Sequence, residues 1–231
     1  MITSTEYLLE RLAHHVLAGT PRQASAMVRE ALAAGAPAAG LIADVVFPAI
    51  ECLQQLNYER ALAARTVNMA ARSLTGVLHE LEGIAPRAAS VGRSMLLVAG
   101  PGHGDELGAS AVAALAEIHG FAVMFAGAGV SVEEIAFAAG QLAPDILMMH
   151  AGLPAEREAT ARVVRRWQEI GLWPRAQVAV TGAAVEEGTA ASLGADVAGS
   201  APLAVLELLA LCPEHRGRRA GRVMLSRFHV N

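Results

Sequence analysis

Apolar positions along the first third of the chain recur at helical spacing. Leu8, Leu9, Leu12 and Val16 form one stripe that stops at Gly19-Thr20-Pro21, and Ala24, Met27, Val28, Ala31 and Leu32 form a second that stops at Gly35-Ala36-Pro37. A third runs from Leu41 through Val45, Ile50 and Leu53, with Pro48 either kinking it or marking a new start. Leu62, Val67, Met69, Leu74, Val77, Leu78 and Leu81 make the fourth, which ends at Gly83 and Pro86. Four amphipathic helices joined by short Gly/Pro turns predict a four-helix bundle over residues 1–85.

After Ala85-Pro86-Arg87-Ala88-Ala89-Ser90-Val91-Gly92-Arg93 the texture changes to short apolar runs alternating with helical stretches. The runs are Met95–Ala99, Ala122–Phe125, Ile146–Met149, Val178–Val180 and, more weakly, Asp196-Val197-Ala198. The stretches between and after them are Gly108–His119, Val132–Leu142, Pro154–Ile170, Val185–Leu193 and Pro202–Leu211. Strand–helix alternation with connections of this length requires right-handed parallel crossovers. Residues 94–213 are therefore expected to form a doubly wound α/β domain, Rossmann- or flavodoxin-like, on a parallel five-stranded sheet. Residues 214–231 read as a basic tail with the character of a solvated terminus.

In such a sheet, ligands gather at the carboxyl ends of the strands. The loops 100–107, 127–131, 150–154 and 181–184 are expected along that edge. The first holds His103, Asp105 and Gly108 in the pattern His-x-Asp-x-x-Gly, directly before a helix. His103 is a candidate metal ligand with Asp105 as the acceptor that orients its ring, because a ligating imidazole needs its other nitrogen held. The alternative is a solvent-facing His103 beside an Asp105 N-cap. His150 ends the third apolar run, and with His103 it would form a pair facing one crevice, suited to haem iron, zinc or an anion. The alternative is a hydrogen-bonded histidine filling unused space. The same loop lacks Gly-x-Gly-x-x-Gly spacing and a Walker lysine, which weakens a phosphate-cradle reading.

Composition narrows the classes. Hydrophobic residues make up 54% and charged residues 17%, as expected for well-buried cores, and a net charge of −4 gives no general pull toward nucleic acid. No run approaches the roughly 20 consecutive apolar residues of a membrane span, and residues 1–7 lack a secretory pattern, so no membrane association and a cytoplasmic location are expected. Cys52 and Cys212 are too few for a metal knuckle and read as small buried apolar residues. No nucleophile–base–acid set is recognisable, so no enzyme is expected.

The loop at 103–108 resembles the Asp/Glu-x-His-x-x-Gly signature of cobalamin-binding domains, with the two residue types exchanged. Without gaps, Asp105 stands where that family's cobalt-ligating histidine belongs and His103 where its supporting acid belongs. Pro48-Ala49-Ile50-Glu51-Cys52-Leu53 is similar to the start of the family's third bundle helix. Phe125 to Ile135 is similar to its second strand-to-helix turn, Ala143-Pro144-Asp145-Ile146 to its entry into the third strand, and Leu193-Gly194-Ala195-Asp196 to the approach to the last. The resemblance extends over the bundle-plus-sheet layout of corrinoid methyl carriers and cobalamin-dependent photoreceptor regulators.

It implies cobalamin as cofactor, with departures at the ligand motifs. Ser-x-Leu after the third strand, along the cleft for the cofactor's nucleotide tail, is replaced by His150-Ala151-Gly152. Gly-Gly after the fourth is replaced by Thr181-Gly182-Ala183. On the bundle face, the positions of the photoreceptor branch's tryptophan and Glu-His pair hold Asn57, Val67 and Asn68. Cobalt prefers imidazole nitrogen to a hard carboxylate, so Asp105 is a poor substitute ligand. The expectation is a sensory or regulatory module with weak, atypical or lost corrinoid binding, acting on another regulatory protein and capable of homo-oligomerisation. Two alternatives are a corrinoid methyl carrier serving a methyltransferase and a haem- or metal-binding variant sensor. Direct DNA binding is not expected.

Overall fold

A computed structural model describes residues 5–100, 105–172, 176–185 and 190–211. The chain divides into one compact unit up to Arg87 and a second from Ala88 onward.

The first unit is helical. It comprises α1 (Thr5–Leu17), α2 (Pro21–Ala33), a continuous helical segment Ala38–Tyr58, and α5 (Ala64–Ile84). The predicted stripes face its core: Leu8, Leu12, Val16, Met27, Val28, Leu74, Val77, Leu78 and Leu81 are all buried. Within Ala38–Tyr58, α3 (Ala38–Leu41) passes through a π-helical turn, Ile42–Val46, into α4 (Phe47–Tyr58). Pro48 supplies the reason. It has no N–H to donate back along the helix, and the turn before it widens so that Phe47 N–H donates to the Ile42 carbonyl. The proline is thus absorbed by local widening, and the helix neither stops nor restarts. By length and composition alone Ala38–Tyr58 could cross a membrane, but half of its most apolar stretch is buried in the fold, as in the core helix of a folded unit. Cys52 is exposed rather than buried, because it sits on the outer face of α4.

The second unit is a parallel sheet of β1 (Ser94–Ala99), β2 (Ala122–Phe125), β3 (Ile146–His150), β4 (Gln177–Thr181) and β5 (Val197–Gly199), in the order β2-β1-β3-β4-β5. Helices α6 (Asp105–Ile118), α7 (Val132–Leu142), α8 (Arg157–Glu169), α9 (Ala190–Leu193) and α10 (Pro202–Leu211) accompany it. A 3-10 turn, Pro154–Glu156, leads into α8. Side chains alternate across a strand, so Leu96 and Val98, Leu147 and Met149, and Val178 and Val180 share one face. There they form a core with Ile135 of α7, Val164 and Trp167 of α8 and Leu193 of α9. Ile146, Met148 and His150 belong to the other face, where α6 packs on β1 and β3.

Two aspartates fix strand entry. Asp145 Oδ2 accepts hydrogen bonds from the Ser94 N–H (2.8 Å) and hydroxyl (2.9 Å), tying the start of β3 to that of β1. Asp196 Oδ2 accepts from Val178 N–H at 2.9 Å and does the same for β5 and β4. The basic tail and Cys212 lie outside the described residues.

Candidate functional site

The central strands end level with one another. Ala99 is paired with His150, and His150 with Thr181. The zipper continues one residue further: Gly100 N–H donates to the His150 carbonyl at 2.6 Å, and Ala151 N–H to the Thr181 carbonyl at 2.8 Å. The order β2-β1-β3 places this point where the chain reverses direction across the sheet, the usual crevice of an open α/β fold.

His150 is the last residue of β3 and is wholly buried. Its imidazole lies between two glycines on different elements. A Cβ at Gly108 of α6 would overlap ring atom Nε2 and lie 2.8 Å from Cδ2, and a Cβ at Gly182 would lie 2.9 Å from Cε1. Gly182 also has φ +106, and a Cβ there would overlap the Ala151 carbonyl, so the turn after β4 and the space for the ring both require glycine. Burial pushes the His150 pKa down to about 3, which keeps the ring neutral, with one donor and one acceptor nitrogen. The neighbouring Thr181 hydroxyl is also buried and has no hydrogen-bond partner among the described residues.

Asp105 opens α6 as its first helical residue, where a negative charge suits the helix dipole. The expectation of a helix starting at Gly108 with Asp105 as its N-cap is corrected by one turn. The side chain is 1% exposed, and its Oδ1 accepts from Gly152 N–H at 3.1 Å. Its Oδ2 rests against Gly100, where a Cβ would overlap it. A second carboxyl meets it: Glu156, from the turn after β3, is hydrogen-bonded to Asp105 and accepts from Leu153 N–H at 3.3 Å. Burial, then the Asp105 charge, raise the Glu156 pKa to about 7. The protonated form is the one that can donate to Asp105, and two carboxylates at this separation disfavour joint ionisation.

Sequence reasoning selected Asp105, Gly108, His150, Gly152, Thr181 and Gly182, and the structure brings these six together at one sheet edge. It missed Glu156, and Gly100 entered only as part of the loop 100–107. The signal for Glu156 was its place three residues after Leu153 and two after Pro154, at the start of a helix. His103 lies outside the described residues. Asn57, in α4, and Asn68, in α5, are exposed, and Val67 is partly so; all three belong to the helical unit. Among the described residues no group of three or more His, Cys, Asp or Glu side chains is placed to hold a metal ion.

The B12 binding domain family model matches residues 92–209, more than half of the 231-residue chain and the whole of the five-stranded sheet. No curated protein matches the sequence. Among solved structures, the monomethylamine corrinoid protein of Methanosarcina barkeri is similar with TM-score 0.71 at 15% identity, over 90% of this chain and 99% of that one. The methanol:cobalamin methyltransferase complex of the same organism gives TM-score 0.45 at 19% identity, over 90% of this chain and 80% of that one. A cobalamin-binding protein from Desulfitobacterium hafniense DCB-2 gives 0.46 at 17%, over 87% and 96%. At such identities the first likeness is one of fold. The family match, covering every strand whose carboxyl end builds the site, is decisive: this chain belongs to the B12-binding domain family, whose cofactor is cobalamin.

Proposed function

We propose that this chain is a corrinoid-binding module without catalysis of its own, which acts through the protein that docks on its cofactor-bearing face. The observation supporting it is the family match over residues 92–209 on a sheet whose carboxyl edge gathers Asp105, His150, Gly152, Thr181 and Gly182. The residues present meet the cofactor unevenly. The buried Thr181 hydroxyl offers a hydrogen bond to a group entering beside β4. Asp105 does not suit cobalt: it is a hard carboxylate, buried, and already engaged by Gly152 and Glu156. The space between Gly108 and Gly182 is taken by His150. These residues do not fit a cofactor ligated from Asp105 or seated between those glycines.

This donor set favours a regulatory role, in which corrinoid occupancy changes the contacts made with a partner regulator. The test is direct. Purified protein mixed with hydroxocobalamin and desalted should retain corrin absorption in proportion to protein; an eluate free of corrin would overturn the reading.

A second reading, a methyl carrier serving a methyltransferase, is favoured by the likeness to the Methanosarcina barkeri corrinoid protein, which extends over nearly all of both chains. Loaded protein held under strong reductant with a radiolabelled methyl donor separates the two. One stable, transferable methyl group per protein supports the carrier, and no retained label supports the regulator.

A further inference from the structure

We propose that His150 is a built-in occupant of a heteroaromatic slot and thereby makes corrinoid binding by this chain indifferent to the base a corrinoid carries, excluding the heteroaromatic base of the bound ligand from the sheet edge. The inference rests on the corrinoid-binding reading and goes beyond it by assigning this indifference to one side chain.

Three observations carry it. First, the slot is built: Gly108 on α6 and Gly182 after β4 lack the side chains that would otherwise occupy it, and a Cβ at either would crowd the imidazole of His150. Second, the occupant is fixed by its backbone. The His150 carbonyl accepts from Gly100 N–H at 2.6 Å, and Ala151 N–H donates to the Thr181 carbonyl at 2.8 Å, so β3 is held on both sides where the ring leaves it. Third, the ring is wholly buried, and burial holds it neutral, so no charge draws it back to water. A planar nitrogen heterocycle thus lies at the crevice of the sheet, and close packing excludes a second ring from the same volume. A corrinoid that carries a benzimidazole base must keep that base elsewhere, on its own cobalt or in solvent. The base then adds little to affinity.

The experiment has a wild-type arm and a variant arm. In the wild type, hydroxocobalamin and cobinamide, which lacks the base, should bind with dissociation constants within about threefold of each other. His150→Ala and His150→Ser open the slot. Either variant should prefer cobalamin over cobinamide by about tenfold or more, and imidazole alone at millimolar concentration, which matches the ring removed, should raise its melting temperature by several degrees while leaving that of the wild type unchanged, because a ligand that fills a cavity stabilises the folded state. A wild type that already prefers cobalamin tenfold would overturn the proposal. So would variants that imidazole fails to stabilise. If imidazole stabilises the variants but neither corrinoid binds any of the proteins, the slot stands and the corrinoid function falls.

Discussion

At the scale of single residues, the site is a set of close approaches that only glycine allows. Gly108 lies inside α6, where alanine is the better helix former by roughly 1 kcal/mol. Gly108→Ala should nonetheless destabilise the protein, by about 1–3 kcal/mol in denaturant titrations, because the new Cβ overlaps the His150 ring in a packed interior. A stabilised variant would mean that the ring has room to move. Protonation is the other residue-scale lever. Glu156 has its folded pKa raised from 4.5 to about 7, so the folded state binds more protons than the unfolded across that window, and its contribution to stability falls as pH rises through it. His150 has the opposite sign. Its folded pKa lies near 3 against 6.5 unfolded, so its contribution is complete above 6.5 and is lost as pH falls toward 3. Glu156→Gln keeps an amide donor for Asp105 without the charge. It should make stability less dependent on pH between about 5 and 7, and should stabilise the protein at pH 8, as thermal melts across that range would show. In the helical unit, Glu51 is also raised to about 7 by burial and adds a decline of the same sign as that of Glu156.

At the scale of elements, each piece of the chain is set by local chemistry. Helix α7 begins with a capping box: Ser131 Oγ accepts from Glu134 N–H at 3.2 Å, and Glu134 Oε2 accepts from Ser131 N–H at 2.8 Å. Hydrogen bonds donated to it by the Ser131 N–H and hydroxyl hold the Glu134 carboxyl below the usual carboxylate range. Ser131→Ala should cost about 1 kcal/mol of stability, read as a lower denaturation midpoint with unchanged slope. Such a box at the start of α7 fixes the turn that leaves β2 toward the same carboxyl edge. The π turn before Pro48 belongs to this scale too, since one missing N–H widens a turn without ending the helix. The strands are as local in origin: apart from polar end residues, β1, β3 and β4 are apolar runs buried on both faces, as central parallel strands must be.

For the whole molecule, family membership and fold together set the expectation for ligand linkage. A corrinoid that binds only the folded chain stabilises it by about 2.7 kcal/mol at one hundred times its dissociation constant. For a chain of this length that corresponds to a rise of roughly 5–11 °C in the melting transition. Calorimetry with and without hydroxocobalamin should show it. An unmoved transition at saturating corrinoid would place binding outside the folded state and count against the proposed function.

The amino-acid sequence alone determined the elements and their class. Helical stripes, short apolar runs and Gly/Pro punctuation are local signals, and they were enough for a helical first unit and a five-stranded parallel sheet, with strand ends correct to within a residue or two. The resemblance carried by the 103–108 loop and by the turns before β3 and β5 led to the family that the match over residues 92–209 shows. Tertiary structure decided the rest. The order β2-β1-β3-β4-β5 is a matter of which strands pair across crossovers. His150 reads the same in sequence whether it rims a cleft or fills one, and its burial follows from Gly108 and Gly182, which lie far away along the chain. Asp105 and Glu156 each look like ordinary acids at helix starts, and folding brings their carboxyls together and raises one pKa. The physical reason is the same in each case: periodicity reports which face of an element is buried, whereas the environment of a side chain is set by atoms from other elements, which only the folded chain brings within reach.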